Sequence, residues 1–391
     1  MKKALEDVRV TDLSSHLAGP FCTLQLADLG AEVIKIEPPN GDLSRLSANP
    51  ISKGQSPYFL STNRNKKGMS LNLKIDEAKE ILYELVKKSD IIVENYRPGV
   101  AEKLGVDYET IKAINPRIVY ASISGFGQEG PYSRRPAFDL IAQSMSGMIR
   151  LSNLGREPGW VAGSIGDTVP ALYAAVAILG ALHYARKTGQ GQYIDISQVH
   201  SMTAVMPIPV QTYLVTGKEL DDTPRAWPRR SLKHIYKTKD GYISLSALFH
   251  FCQVFVKMVG KEIPKVAESW EENMAVTEEC HEWIIDWFTT KTNKEADTLL
   301  TEAKIPFSQV YGLSNLVNDP QAAVRGMFTE VDHPLGFRYK TTTSPMKMSE
   351  TPIVIERAPP VFGQDSEEVL SKILGYSSKK ISELRKIGAF L

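Results

Sequence analysis

The chain has 391 residues, 42% of them hydrophobic, and its 46 basic and 45 acidic side chains leave a formal net charge of +1. This length predicts one large domain with a smaller one, and the composition is that of a globular protein rather than a disordered or fibrous one. Nucleic-acid-binding proteins usually carry a strong positive excess, so the balanced charge leads us to expect no nucleic-acid partner.

Signals for export or membrane insertion are weak in this sequence. Acidic residues enter within the first seven positions, before any apolar run develops, which disfavours a secretory signal. The longest apolar stretch, Ala171–Leu182, is shorter than the roughly 20 residues that a membrane span requires. Cys22, Cys252 and Cys280 are widely spaced and odd in number, which indicates neither a disulfide framework nor a zinc site. We therefore expect a cytoplasmic protein with no membrane partner.

Short β-branched runs alternate with helical patterns over the first 200 residues. The predicted strands are Val8–Leu13, Val33–Ile36, Ile91–Val93 and Ile118–Ser122. The predicted helices are Pro20–Leu29, Asp76–Lys88 and Thr168–Arg186. Alternating strands and helices predict βαβ units and a largely parallel sheet, so the expected fold class is α/β.

The pattern changes after about residue 205, where prolines interrupt a weakly periodic region. The alternating run Tyr242–Leu245 predicts a strand, and Phe249–Val259 and Glu278–Phe288 predict helices. We expect two short helices around Gly375 near the C-terminus. The predicted organisation is the N-terminal part of a large domain at 1–205, a linker at 206–230, a small α+β domain at 231–320, and a return segment completing the large domain at 321–391.

A literal G-x-G-x-x-G occurs at Gly125–Gly130, after a predicted strand. A dinucleotide site requires this turn to open a helix whose N-terminus meets the pyrophosphate, with an acidic residue about 20 positions further on. Pro131 and Pro136 break the following segment, and Asp139 comes too early to bind a ribose. We therefore expect a loop packed closely against another backbone, with a nicotinamide oxidoreductase as an alternative.

Ala162–Gly166 comes within one residue of the nucleophile elbow of serine hydrolases, because alanine replaces its first glycine. The elbow requires a strand before the serine and a helix directly after it. Residues 159–161 make a poor strand, and the predicted helix begins only after Asp167. Three later histidines are available for a catalytic triad: His234, His250 and His333.

Asp167 has two compatible interpretations. It precedes an alanine- and leucine-rich helix with Pro170 in the first turn, which is the pattern of an N-cap residue. A carboxylate at a helix N-terminus is also held ionised by the helix dipole and backbone donors, and an ionised carboxylate is a competent covalent nucleophile. Gly166 before it lets a substrate carbonyl approach closely. Asp167 is therefore the candidate catalytic residue.

Short motifs follow one another in a fixed order along most of the chain. They are His16–Pro20, Leu29–Glu37, Asn65–Lys67, Leu71–Lys74, Val93–Gly99, Leu104–Gly105, Asn115–Arg117, Ser124–Gly127, Gly166–Asp167, Thr188–Gln192 and Asp195–Ser197, with weaker matches at Asp240–Tyr242 and Asn318–Gln321. In this order they resemble the class III CoA-transferases, which include formyl-CoA and carnitine CoA-transferases. No single motif is decisive, but their number and order make the resemblance specific.

The resemblance implies a Rossmann-like large domain from both chain ends, a smaller domain between them, and two subunits threaded into an interlocked ring homodimer. It implies an enzyme that moves CoA from an acyl-CoA to a free carboxylic acid. In such enzymes the aspartate at the Asp167 position attacks the thioester to give a mixed anhydride. The CoA thiolate then returns to give an aspartyl-CoA thioester, and the acceptor acid takes over the acyl position. Neither a metal nor a nicotinamide is required.

The resemblance also implies a set of CoA-binding residues in the N-terminal half. Their positions are Leu17, Ala18, Leu71, Asn72, Leu73, Lys74, Asn95, Tyr96, Arg97, Lys103 and Arg135. Lysine and arginine donors suit the pyrophosphate and 3′-phosphate of CoA.

Three positions depart from the family pattern. Pro38 stands where some members have an adenine-contacting arginine, for which Arg45 is a candidate substitute. Leu17 stands where one branch has glutamine, and Ala171 replaces a glycine common after the catalytic aspartate. These departures leave the identity of the two acids open.

The family also includes α-methylacyl-CoA racemases, which keep the aspartate and use a histidine for proton transfer. That histidine is expected at the position of Phe138, and a phenyl ring has no proton to transfer. His16 is a candidate substitute, although a lone histidine after a first strand is more often structural. A racemase is therefore the second interpretation, and a non-catalytic CoA-binding relative is a further alternative.

Overall fold

A computed structural model of the protein describes residues 2–47, 51–52, 54–153, 157, 159–219, 232–247, 249–262 and 281–391. The chain divides into two compact units. The first comprises Met1–Ser152, Pro158–Thr212 and Val324–Leu391, and the second comprises Asn153–Glu157 and Tyr213–Ala323. Part of the predicted linker 206–230 and the beginning of the predicted helix Glu278–Phe288 lie outside the described residues.

The first unit is built on a six-stranded parallel sheet. Its strands are β1 (Arg9–Asp12), β2 (Glu32–Glu37), β3 (Lys66–Ser70), β4 (Ile91–Glu94), β5 (Val119–Ser124) and β6 (Gln192–Ser197). They lie in the order β3-β2-β1-β4-β5-β6 and pair in parallel throughout. The order reverses between β1 and β4, where open α/β sheets form a ligand crevice beyond the carboxyl ends of their strands. The α/β prediction is confirmed.

Helices cover both faces of this sheet, because the strands present apolar side chains on both. The helices of the chain up to residue 216 are α1 (Ala18–Asp28), α2 (Pro57–Thr62), α3 (Asp76–Val86), α4 (Val100–Leu104), α5 (Tyr108–Ile114), α6 (Asp139–Met145), α7 (Met148–Ser152), α8 (Ile165–Thr188), α9 (Gln198–Ala204) and α10 (Pro207–Thr216). Cys22, Leu26 and Ile178 pack α1 and α8 into one apolar cluster. Leu82 and Ile111 pack α3 and α5 into the other.

The helix α8 is apolar on two sides. Ala174 and Ile178 are fully buried, whereas Leu172 is 48% and Val176 is 69% exposed. Within the described part of the chain, α8 is also the one helix long and apolar enough to cross a membrane by length and composition. A buried core helix meets the same criterion, and 44% of this stretch is buried inside the protein.

The second unit contains a three-stranded antiparallel sheet in the order β7-β8-β9. Its strands are β7 (Leu232–Lys237), β8 (Tyr242–Ala247) and β9 (Phe307–Gln309). Its helices include α11 (Phe249–Met258), the helical residues 281–289, α12 (Asn293–Glu302) and α13 (Leu313–Val317), followed by α14 (Pro320–Val324). Tyr236 and Phe288 stack in its core with ring centroids 4.6 Å apart.

The C-terminal part of the chain covers the edge of the parallel sheet at β3. It contains β10 (Phe328–Asp332), β11 (Arg338–Thr342), α15 (Ser366–Glu368), a π-helical turn at Val369–Ile373, and α16 (Ser378–Lys386). We call residues 354–366 the closing segment. Its Asp365 accepts a hydrogen bond from the backbone N–H of Gly68 at 2.7 Å and donates its own N–H to the Gly68 carbonyl at 2.8 Å. A Cβ atom at Gly68 would lie 2.8 Å from the Pro360 side chain, so glycine is required there.

All seven elements predicted for the first 200 residues are present, with ends within three residues of the prediction. The prediction omits β3 and β6, because lysine, glutamine and aspartate interrupt their apolar patterns. The segment predicted as a linker begins instead with the helix α10. The two prolines of α10, Pro207 and Pro209, lie in its first turn, where a missing N–H loses no intrahelical hydrogen bond.

Candidate active site

Asp167 lies in the first turn of α8, three residues after Ser164, which occupies the N-cap position in the left-handed conformation. The expectation that Asp167 caps the helix, and that the helix begins after it, is wrong by three residues. The N–H of Gly166 donates to the Asp139 carboxylate at 2.7 Å, so a side chain from α6 satisfies this early backbone donor. The helix can therefore begin before Asp167.

Asp139 is buried and held in place by Gln143. Gln143 donates through Nε2 to both carboxylate oxygens of Asp139, at 2.9 and 3.0 Å. The same amide bonds both the N–H and the carbonyl of Val161, each at 2.9 Å. A Cβ atom at Gly166 would lie 2.6 Å from the Asp139 carbonyl oxygen, so only glycine allows α6 and α8 to approach this closely. The carboxylates of Asp139 and Asp167 therefore lie in one site.

The Asp167 carboxylate is half-buried, and one side chain among the described residues donates a hydrogen bond to it. Gln198, the first residue of α9, donates through Nε2 to Asp167 Oδ1 at 2.5 Å. Burial, and after it the negative charge of Asp139, raise the pKa of Asp167 to about 7, and the Gln198 hydrogen bond opposes this rise. Asp167 is therefore partly protonated at neutral pH, in contrast to the fully ionised carboxylate that the helix position alone suggests.

Tyr58 belongs to the same group of side chains. Burial raises the pKa of its phenol, and the nearby charges of Asp167, Asp42 and Asp139 raise it further. Tyr58 lies in α2, which Ser56 caps by accepting from Phe59 N at 3.1 Å. Sequence reasoning missed both Tyr58 and Gln198, because neither stands in a pattern that by itself carries chemistry.

A cavity of about 600 Å³ opens beside the carboxyl ends of β1 and β2. Five of the predicted CoA-binding residues line it: Leu71, Asn72, Leu73, Lys74 and Tyr96. The loop after β1 and the segment 36–43 complete its wall. Asp167 does not line this cavity, but His16 does, and the His16 ring meets the edge of the Phe138 ring at a centroid distance of 6.3 Å. Phe138 directly precedes Asp139.

The other six predicted CoA-binding residues lie outside this cavity lining: Leu17, Ala18, Asn95, Arg97, Lys103 and Arg135. Leu17 and Ala18 form the start of α1, where Ala18 is buried. Arg97, Lys103 and Arg135 are exposed. The Arg135 guanidinium lies 4.6 Å from the centre of the Tyr132 ring. All six stay predictions.

The buried Arg45 side chain contacts other residues of the protein. Its guanidinium makes two hydrogen bonds of 2.7 Å to the buried Glu37 carboxylate and a third to the Pro360 carbonyl. It also lies 3.6 Å from the centre of the Phe59 ring. The expectation that Arg45 replaces the adenine-contacting arginine missing at Pro38 is therefore not supported.

The loop after β1, residues 14–16, is clamped by side chains from elsewhere in the sheet. The Asn95 amide accepts from Ser15 N and donates to Ser15 O, both at 2.8 Å. Asp42 accepts from the N–H of His16 at 3.2 Å, and His16 has a positive φ of 62°. A non-glycine residue in this conformation persists only where its surroundings enforce it. The clamp holds the wall of the cavity in one shape.

Two buried ion pairs stabilise the loop at residues 14–16. Lys35 pairs with Asp42 at 2.8 Å and donates to the Ser14 carbonyl at 2.9 Å. Lys66 pairs with Asp12 at 3.2 Å, and all four charged side chains are fully or almost fully buried. Burial opposes ionisation of Asp42, but the Lys35 charge and the hydrogen bonds from Lys35 and Ser44 together outweigh it and lower the pKa of Asp42 to about 2. Burial also opposes ionisation of Lys35, but the carboxylates around it outweigh burial and raise the pKa of Lys35, so Lys35 and Asp42 are both ionised at neutral pH.

The two alternative motifs lack the structures that they require. No helix opens after β5 at Gly125–Gly130, and a Cβ atom at Gly125 would lie 2.3 Å from the Ala137 Cβ, so this glycine serves the predicted close packing. No strand precedes Ser164 at residues 159–161. Within the described ranges, no group of three or more histidine, cysteine, aspartate or glutamate side chains is placed to hold a metal ion.

Comparisons with known proteins identify relatives of this chain. Residues 5–366 match the family model described as CoA-transferase family III. The chain is 35% identical over 363 residues to succinyl-CoA:mesaconate CoA-transferase of Haloarcula marismortui, covering 89% of this chain and 91% of that protein. It is 32% identical over 398 residues to human succinyl-CoA:glutarate CoA-transferase, covering 99% and 90%. A solved CaiB/BaiF family protein from Brucella suis is similar with a TM-score of 0.82 and 28% identity, covering 95% of this chain and all of that one.

Proposed function

The chain belongs to CoA-transferase family III, and from this premise we propose that it moves CoA from an acyl-CoA to a free carboxylic acid with Asp167 as the covalent nucleophile. The observation that carries the proposal is the environment of the Asp167 carboxylate. It is half-buried, Gln198 holds Oδ1, and no hydrogen bond from a described residue reaches Oδ2. A fixed carboxylate with one free oxygen suits attack on a thioester carbon.

The proposed reaction has four exchanges. Asp167 Oδ2 attacks the thioester carbon, and the CoA thiolate leaves to give a mixed anhydride. The thiolate then attacks Asp167 Cγ, which releases the donor acid and forms an aspartyl-CoA thioester. The acceptor carboxylate attacks the same Cγ and displaces the thiolate, giving a second anhydride. The thiolate finally attacks the acceptor acyl carbon, which forms the new acyl-CoA and restores the Asp167 carboxylate.

The names of the relatives guide the choice of substrates. Both relatives described above are named for succinyl-CoA, with mesaconate or glutarate as the other acid. We propose succinyl-CoA as the donor and a short dicarboxylic acid as the acceptor. The cavity beside Leu71–Lys74 and Tyr96 is proposed to take part of the CoA molecule, and the exposed Arg97, Lys103 and Arg135 are proposed to meet its phosphates.

The covalent intermediate provides the test of this function. Incubation with succinyl-CoA and a panel of carboxylic acids, followed by mass spectrometry, is expected to show a CoA adduct on the peptide that contains Asp167 and new acyl-CoA thioesters in solution. The reaction also transfers one acceptor oxygen to Asp167 in each turnover, because the last step leaves the bridging oxygen on the aspartate. An ¹⁸O-labelled acceptor acid should therefore label the same peptide.

Substitution of the nucleophile completes this test. Asp167→Ala is expected to abolish both the adduct and transfer, while folding and CoA binding persist because the substitution removes only one half-buried side chain. The exposed Asp286→Ala is the matched control and should retain full activity. Transferase activity in Asp167→Ala would contradict the mechanism.

We further infer that two copies of the chain associate through the apolar outer side of α8. Leu172, Val176 and Leu179 are exposed there at helical spacing, and the first two are among its most exposed apolar side chains. Monomeric proteins seldom leave a continuous apolar stripe in contact with water. The resemblance to ring-forming homodimers supports a second copy of this chain as the covering partner.

A further inference from the structure

Building on the proposed function, we propose that the side-chain amide of Gln198 is a catalytic hydrogen-bond donor, which stabilises the oxyanion that forms on Asp167 Oδ1 each time Asp167 Cγ is attacked. The proposal assigns a role to a residue from α9, 31 positions along the chain from the nucleophile.

The first support is the geometry of the contact. Gln198 Nε2 lies 2.5 Å from Asp167 Oδ1, and the Gln198 residue is 6% exposed. Its backbone is fixed at the start of α9, where Ser197 caps the helix by accepting from His200 N at 3.3 Å. The next N–H, of Val199, donates to the Gly125 carbonyl at 3.1 Å. The donor is therefore held in place before substrate arrives.

The second support is the space around the amide. Gly125 lies beside Gln198, and a Cβ atom there would come within 3.7 Å of the Gln198 Oε1 atom and within 2.3 Å of the Ala137 Cβ. The absence of a side chain at Gly125 thus leaves room for the segment before α6, and the Gln198 amide lies at ordinary van der Waals distance from the same point. The backbone after β5 therefore packs closely against the amide and against the segment that leads into α6.

The third support comes from the bonds that change. In the anhydride, Oδ2 bridges to the acyl carbon and Oδ1 is the carbonyl oxygen. When the thiolate forms its bond to Cγ, the π electron pair moves onto Oδ1. When that double bond re-forms, the Cγ–Oδ2 bond breaks and the donor acid leaves as a carboxylate. The acceptor carboxylate passes through the same Oδ1 oxyanion when it displaces the thiolate, and no proton is transferred.

A donor aimed at Oδ1 therefore acts in both exchanges at Cγ. Hydrogen bonds to a developing oxyanion are stronger than those to a neutral carbonyl oxygen, so the transition state gains more than the ground state does. Because the amide is buried and already oriented, little reorganisation accompanies the reaction. The same donor favours the ionised form of Asp167 against burial and the charge of Asp139.

Gln198→Met tests the proposal, since methionine has a similar length but no N–H donor. The measured quantity is the rate at which a CoA adduct forms on the Asp167 peptide in a single turnover with succinyl-CoA. Removal of one oxyanion donor is expected to slow this step about 100- to 1000-fold. The KM for acyl-CoA should stay near the wild-type value. The acidic limb of the pH–rate profile should move to higher pH, because loss of the donor raises the pKa of Asp167 further.

Two further variants make the outcome decisive. Gln190→Met changes an exposed glutamine in the turn after α8 and should keep the wild-type rate. Gln198→Glu keeps the shape of the side chain, loses the amide donor and adds a negative charge, so it should be at least as slow as Gln198→Met. Thermal unfolding of each variant establishes that it is folded before rates are compared.

The result that overturns the proposal is distinct from failure of the proposed function. If the wild-type enzyme forms the adduct and Gln198→Met forms it equally fast, Gln198 is not a catalytic donor and the transferase mechanism stands. A raised KM with unchanged adduct formation would likewise assign Gln198 to substrate binding alone. If the wild-type enzyme forms no adduct on Asp167, the proposed function itself fails.

Discussion

Two carboxyl groups lie close together at the start of α8, and burial and their mutual repulsion together set the charge of the nucleophile. Asp139 is fixed by Gln143 and by the N–H of Gly166, so it cannot turn away from Asp167. Burial and this neighbouring charge together raise the pKa of Asp167 to about 7. A higher pKa makes the carboxylate a stronger nucleophile when ionised but reduces the fraction that is ionised. Near neutral pH, the pKa of Asp167 therefore gives a strongly nucleophilic carboxylate while a substantial fraction of it is still ionised.

The pH dependence of transfer follows from this pKa. Asp167 must be ionised to attack, so kcat/KM should fall as the pH drops below about 7. Asp139→Asn removes the like charge and keeps an oxygen that accepts from Gly166 N. The pKa of Asp167 should then decrease, and the acidic limb of the profile should move to lower pH. The measurement is kcat/KM for acyl-CoA across the acidic range.

Asp7→Asn is the matched control for Asp139→Asn, because Asp7 is an exposed aspartate paired with Arg186. It should leave the profile in place. A profile that moves equally in both variants, or in neither, would show that Asp139 does not set the charge of Asp167.

At the residue scale, the sequence was informative only where motifs carried the chemistry. Asp167 could be singled out because a glycine and a helix pattern surround it. Gln198 and Tyr58 gave no such signal, since their importance comes from side chains distant in sequence. The pKa of Asp167 could not be predicted either, because the charge of Asp139 reaches it only through the fold. The helix start alone predicted a fully ionised group.

Among the elements, the strands β1 to β3 carry buried charged side chains: Asp12 at the carboxyl end of β1, Lys35 within β2 and Lys66 at the amino end of β3. Lys35 lies between Asp42 and the Ser14 carbonyl, and Lys66 pairs with Asp12. Such pairs add little net stability compared with apolar residues, but removing one partner leaves an uncompensated buried charge. Here the pairs hold the loop at residues 14–16, which gives them a role in shaping the cavity wall.

The substitution Lys35→Met measures this buried network. It leaves Asp42 without its cation, so the free energy of unfolding should decrease by about 3–5 kcal/mol. The exposed Lys88→Met is the control and should change stability by less than about 0.5 kcal/mol. Urea denaturation gives both values. A Lys35→Met protein as stable as Lys88→Met would show that the network contributes nothing to the clamp.

The sequence pattern located four strands of the parallel sheet but not β3 and β6. Apolar and β-branched residues make up most of the predicted runs for β1, β2, β4 and β5, which is typical of strands covered on both faces. β3 contains Lys66 and Lys67, and its strand pattern is hidden by charges that pair across the fold. The observed start of α8 lies three residues before the predicted start. The reason is that the Asp139 side chain, which is remote in sequence, accepts a hydrogen bond from the early backbone N–H of Gly166.

On the scale of the whole molecule, the exposed side of α8 predicts the state of association. The wild-type protein should sediment as a dimer, and Val176→Asp should weaken the dimer because a charge replaces an apolar side chain that is 69% exposed in the single chain. Ile387→Asp, at the end of α16 and 49% exposed, is the control and should remain dimeric. Sedimentation equilibrium makes the comparison. A monomeric wild-type protein would contradict the proposed association.

Motif order identified the family and its fold class from the sequence. The order of the strands could not be predicted from the sequence, because parallel pairing joins segments that are far apart in the chain. The same applies to the cavity: Leu71–Lys74 and Tyr96 line it together because β1, β3 and β4 end at one edge of the sheet.

The closing segment has a consequence for how the protein is made. The strand β3 emerges early from the ribosome, but the groups that bond its outer edge, Asp365 among them, are translated near the end. Until then the nascent sheet presents open N–H and C=O groups, which invite pairing with neighbouring chains. Phe390 is also almost wholly buried, so the region after the closing segment packs against the rest of the fold as well. A chain that stopped before the closing segment would therefore keep an open sheet edge, a ready target for chaperones and proteases.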